Sequence, residues 1–150
     1  MEKGKFINSF FEQKRIALAG VSRYNKKFGR YVFKELTKKG YSIAPINKNT
    51  DEIDGVKCYK NFEELTEKFD SALISVKPTE TLSAIKSAVN AGIKNIWIQQ
   101  GSESEDAIKY CQTNNIPFIS NECIMMYAAP VKSIHSFHRF IWKLLGKYHK

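Results

Sequence analysis

Apolar residues in this chain fall into short runs, separated by longer stretches in which they recur every three or four positions. The short runs read as buried strands: R-I-A-L-A (15–19), Y-S-I-A-P-I-N (41–47), S-A-L-I-S-V (71–76), N-I-W-I-Q-Q-G (95–101) and I-P-F-I-S (116–120). The longer stretches read as helices. Residues 27–40 set Phe28, Val32, Phe33 and Leu36 at helical spacing, with Gly40 as the stop. Residues 61–69 read as a short helix, with Asn61 as N-cap and Glu64 at the capping-box position. Residues 79–92 form a helix capped by Thr79 and closed by Gly92, and 102–115 a helix whose acidic first turn suits the helix dipole. A lead-in helix, 5–13, gathers Phe6, Ile7, Phe10 and Phe11 on one face. An amphipathic C-terminal helix, 131–146, gathers Ile134, Phe137, Phe140, Ile141, Leu144 and Leu145. Residues 48–60 read as turns around Asp54-Gly55.

Strand and helix alternate throughout, and apolar runs this continuous are covered on both faces. The expectation is an α/β protein: a Rossmann-like, doubly wound parallel five-stranded sheet with helices on both faces, a single domain over 1–150. Composition fits that picture, with 43% hydrophobic and 26% charged residues, an ordinary globular balance. No apolar run reaches the roughly 18 residues of a membrane span, and the N-terminus lacks a signal-peptide core. A cytoplasmic location without membrane contact is expected. Cys58, Cys111 and Cys123 lie far apart, which argues against a disulfide framework or a CxxC zinc site and for buried thiols.

The net charge of +9 favours a polyanionic partner. Aromatic residues occupy apolar periodic positions instead of interleaving with lysines, which points away from nucleic acid and towards a phosphorylated small molecule. In a parallel sheet, ligands bind beyond the carboxyl ends of the strands. Those places hold Gly20, Val21, Ser22, Arg23, Lys26, Phe28 and Gly29 after the first strand, and Asn47 and Lys48 after the second. They hold Val76, Lys77 and Pro78 after the third, Ile98, Gln99, Gln100 and Gly101 at the fourth, and Asn121 and Glu122 after the fifth. The first loop suits phosphate bound by backbone N–H groups at a helix start, with Gly20 for close approach and Gly29 for helix–sheet packing.

That loop departs from the dinucleotide fingerprint G-x-G-x-x-G, since Ser22 and Asn25 stand where glycines belong. The acid that would hold ribose hydroxyls after strand two is replaced by Asn47 followed by Lys48. Both departures count against plain NAD. They allow an adenosine carrying an extra phosphate, as in NADP or coenzyme A.

The ordered series G-V-S-R-Y-N-K-K-F-G, P-I-N-K, V-K-P-T-E and W-I-Q-Q-G-S-E-S-E resembles the CoA-binding domain family, the Rossmann-like module found in the succinyl-CoA synthetase alpha subunit. It is most similar to the small stand-alone bacterial members, over roughly 14–145. The resemblance implies a protein that binds coenzyme A or acyl-CoA without the ligase domains; whether it also carries, senses or presents acyl-CoA to an unknown protein partner is left open by the residues. It implies that Gly20 to Arg23 line the phosphates and Lys48 neighbours the adenosine. Val76 to Pro78 would flank the nucleotide or pantetheine, and Ile98 to Gln100, before Gly101, would meet the pantetheine arm. The second reading is an NAD(P)-binding oxidoreductase using the same loop.

No catalytic set stands out. His135 and His138, at i, i+3, could hold a metal with Cys123 or Glu122; the plainer reading is a helix face and a buried thiol, with no metal.

Overall fold

A computed structural model describes residues 2–12, 14–22 and 28–128. Five parallel strands form the central sheet: β1 (Arg15–Ala19), β2 (Ser42–Ile46), β5 (Ser71–Ile74), β6 (Asn95–Gln99) and β7 (Phe118–Glu122). Their order is β2-β1-β5-β6-β7. The chain therefore winds outward from β1 to β2, crosses back over β1, and winds the other way. Two adjacent short strands, β3 (Glu52–Ile53) and β4 (Val56–Lys57), pair as an antiparallel hairpin. The helices are α1 (Lys3–Glu12), α2 (Phe28–Lys38), α3 (Pro78–Asn90) and α4 (Glu105–Thr113).

Strands β1, β2, β5 and β6 are buried almost throughout, and the period of two splits the sheet's apolar runs between two cores. Ile16, Leu18, Leu73, Trp97 and Ile119 face α1 and α2, where Phe6, Ile7, Phe10, Val32, Phe33 and Leu36 meet them. Ala17, Ala19, Ala72, Ile74, Ile96 and Ile98 face the opposite side, with Ile85, Ala88, Ala107 and Cys111 of α3 and α4. The expected α/β architecture and its helices on both faces are present. Trp97 anchors α1: its ring lies 5.3 Å from Phe10 and 5.9 Å from Phe11. Its indole N–H donates to the Glu122 carbonyl at 3.1 Å.

Several boundaries differ from the sequence reading. The expected helix 61–69 is one 3-10 turn, Phe62–Glu64. The Asn61 side chain accepts from the Glu64 N–H at 3.0 Å, while the Glu64 carboxylate accepts from the Lys60 N–H at 3.1 Å. This pair of bonds closes a single turn, and the chain then extends at Leu65. The turn-rich 48–60 contains the β3–β4 hairpin. Its Asp54-Gly55 corner takes φ of 51° and 79°, the left-handed pair that a two-residue hairpin requires. The helix expected from Thr79 begins at Pro78, with Lys77 at the cap position. Proline suits a first helical position because its missing N–H would be unpaired there anyway. Helix α4 starts only at Glu105, where the Ser104 hydroxyl accepts from the Ala107 N–H at 3.3 Å. The fifth strand runs two residues later than expected and includes Asn121 and Glu122, beyond an irregularity in its pairing with β6. Arg23, Lys26 and the helix read at 131–146, with His135 and His138, lie outside the described residues. No helix among the described residues is long and apolar enough to cross a membrane.

Candidate ligand-binding site

The strand order reverses at β1 and β5, and the crevice beyond their carboxyl ends is where open sheets of this kind bind ligands. A cavity of about 590 Å³ opens there, a size suited to a small-molecule ligand. Four segments line it: Gly20–Ser22 after β1, Asn47–Asn49 after β2, Lys60–Phe62, and Val76, Lys77 and one face of α3.

Two glycines fix the first loop. Gly20 has φ of 104°, and a Cβ there would lie 1.8 Å from the Ser75 carbonyl oxygen. A Cβ on Gly29 would lie 2.0 Å from the Gly20 carbonyl oxygen. The start of α2 thus presses directly on the end of β1, and only glycine fits at either place. Asn47 holds the loop from the other side: its amide donates to the Val21 carbonyl at 2.7 Å, and its own oxygen accepts from the Asn49 N–H at 2.7 Å. Arg30, 6% exposed, braces it from behind. Its guanidinium donates to the Ser22 carbonyl at 3.1 Å and to the Asp54 carboxylate at 2.5 Å. Its Nε finds no partner among the described residues.

Cations and hydroxyls furnish the cavity wall. Lys48 and Lys77 are exposed along it, and Lys60 pairs with the Asp51 carboxylate at 2.8 Å. The hydrogen bond from Lys60 holds the Asp51 carboxyl below the usual carboxylate range, with the Lys60 charge adding to the effect. Thr79, Ser83 and Ser87 line the cavity from α3 at intervals of four residues. Val76, Phe62 and Ala84 add apolar surface.

Of the residues singled out from sequence, the cavity gathers Gly20, Val21, Ser22, Asn47, Lys48, Val76 and Lys77. Pro78 is the first residue of α3, between Lys77 and Thr79. Gly29 supports the loop from beneath, and Phe28, 40% exposed, packs beside Tyr31 at the start of α2. Ile98, Gln99, Gln100 and Gly101 are not among the residues lining the cavity. Ile98 is fully buried in the sheet. The Gln99 side-chain oxygen accepts from the Ile124 N–H at 3.1 Å, and the Gln100 N–H donates to the Glu122 carbonyl at 3.1 Å. The Gly101 and Asn121 N–H groups both donate to Glu103, each at 2.8 Å. Glu122 is buried, ion-paired to Lys3 and accepting from the Tyr127 hydroxyl at 2.7 Å. Cys123 is buried as well, and burial pushes its thiol above the ordinary range. Among the described residues no cluster of His, Cys, Asp or Glu suits a metal ion.

Sequence reasoning missed Lys60, Asn61 and Phe62, and the polar face of α3. The spacing of Thr79, Ser83 and Ser87 was a legible signal for that face. Lys60 carried none. It reaches the site because Tyr59 forms a parallel bridge with Ile46, a long-range pairing that no local pattern encodes.

The chain belongs to the CoA binding domain family, whose model matches residues 14–129. It is 32% identical over 93 residues to the alpha subunit of an ADP-forming acetate–CoA ligase II from Pyrococcus furiosus. That match covers 61% of this chain and 20% of the ligase subunit, so the chain corresponds to about a fifth of that relative's length. Among solved structures, a conserved hypothetical protein from Pyrococcus furiosus is 37% identical with a TM-score of 0.71, matching 73% of this chain and 95% of that one. A hypothetical protein from Pyrococcus horikoshii is 26% identical with a TM-score of 0.79, matching 87% of this chain and 92% of that one.

Proposed function

We propose that this chain binds coenzyme A or an acyl-CoA in the cavity at the switch point, and holds or presents it to a protein partner. The observation that carries the reading is Lys48 on the wall of a cavity bordered by the end of β1, which Gly20 and Gly29 pin against the start of α2. A lysine where a dinucleotide site keeps an acid favours an adenosine bearing an additional phosphate. The loop after β1 borders the cavity with its backbone, and the Thr79 hydroxyl lines it from the first turn of α3, a polar setting that suits a pyrophosphate. Val76 and Ala84 offer apolar surface to adenine or the pantetheine arm. The family supports the same ligand. The role proposed is binding; the acid–thiol ligation of the much longer relative is not part of it.

Calorimetry with CoA, acetyl-CoA, NADP and NAD tests the reading. CoA and acetyl-CoA are expected to bind most tightly, and CoA at about 100 times its Kd to stabilise the fold by about 2.7 kcal/mol. Tighter binding of NADP would replace this reading with the nicotinamide one.

A further inference from the structure

The segment carrying Lys60 is fastened to the end of β2. The Asn47 N–H donates to the Tyr59 carbonyl at 2.8 Å, and the Tyr59 N–H to the Pro45 carbonyl at 3.0 Å. Lys48 and Lys60 therefore leave neighbouring extended segments and line the same cavity. They differ in one respect. Lys48 has no ion pair among the described residues, whereas Lys60 is held by Asp51 at 2.8 Å. That partner is weak by construction: the Asp51 side chain is 93% exposed and the Lys60 side chain 44% exposed, so water screens the pair. A phosphate monoester carries up to two charges and three acceptor oxygens, and competes well for an ammonium group held this loosely.

We propose that Lys60 is a second cation for a phosphate on the adenosine ribose, and that Asp51 is its resting partner, displaced when that phosphate arrives. Lys48 and Lys60 together make the site selective for the phosphorylated adenosine. Asp51 sets the affinity by competing with the ligand for Lys60. This assignment rests on the coenzyme reading and goes beyond it in naming the residues that discriminate.

The test is calorimetry of wild type, K60A, D51N and the distant-lysine control K94A, each with CoA and dephospho-CoA at fixed salt. K60A is expected to weaken CoA roughly tenfold and to leave dephospho-CoA nearly unchanged. D51N is expected to tighten CoA roughly threefold, again with dephospho-CoA unchanged. K94A controls for net charge and is expected to change neither. Equal losses for both ligands in K60A overturn the assignment, and CoA binding unaltered or weakened in D51N overturns the role of Asp51. If wild type takes up neither ligand, the coenzyme reading falls together with this assignment. If wild type binds CoA but K60A does not discriminate, the assignment falls alone.

Discussion

Gly29 stands in the first turn of α2, where a methyl group would sit 2.0 Å from the Gly20 carbonyl oxygen. Gly29→Ala must push helix and loop apart, and overpacking of this kind costs about 1–3 kcal/mol. Because the displaced atom belongs to the loop lining the candidate cavity, affinity for the proposed ligand is expected to fall along with Tm. Gly4→Ala is the contrast: nothing lies within 4 Å of that position in α1, so stability is expected to hold or rise with binding unchanged. Melting curves and calorimetry on the two variants check this, and G29A protein with wild-type affinity would contradict it. At this scale the sequence was informative about glycines and Lys48, because a turn glycine and an unexpected cation are visible one residue at a time. Gln99, placed by the sequence among the residues that could serve a ligand, accepts from the Ile124 N–H through its side-chain oxygen, a partner that no local pattern shows.

Helix α1 reaches the sheet through more than its apolar face. Glu122 at the end of β7 is 2% exposed and receives Lys3 and the Tyr127 hydroxyl. Removing the lysine leaves a buried carboxylate with one partner fewer, a loss of about 1–3 kcal/mol. Lys3→Met is therefore expected to lower the urea midpoint, and Glu122→Gln in the same chain to recover part of the loss by removing the charge. A double-mutant cycle with no coupling between the two would contradict the pairing. Helical periodicity and strand runs were readable for these elements because each is a local pattern. The ion pair was not, since it joins residues more than a hundred positions apart. The collapse of 61–69 to one turn was hidden for a related reason: Asn61 and Glu64 satisfy the capping pattern, yet that pattern specifies only how a helix begins.

Over the whole molecule, the alternation of strand and helix made the fold class legible, while the order β2-β1-β5-β6-β7 was not. Strand order depends on which way each crossover turns, and that is decided by packing between distant segments. The cysteines give a property of the molecule as a whole. Burial pushes the Cys111 thiol up to about 11 from an ordinary value near 9, and raises Cys58 and Cys123 in the same direction. Each thiol holds its proton more tightly in the fold than in the unfolded chain. For Cys111 the contribution to stability is complete below about pH 9 and is lost as pH rises towards 11. Tm is expected to fall across that interval, and less steeply in Cys111→Ala, which separates the thiol from lysine titration. Identical slopes would contradict the assignment.

The squeeze of Gly20 between Ser75 and Gly29 has a consequence for how this scaffold can change. The atoms that fix Gly20 at the end of β1 are backbone, clamped from two sides, while Lys48, Lys60 and Thr79 stand exposed on the cavity wall. Shape and chemistry are thus written in different residues. Ligand preference can be rewritten at the wall, by mutation or by design, with little penalty to folding. The glycine crossing itself leaves no such freedom.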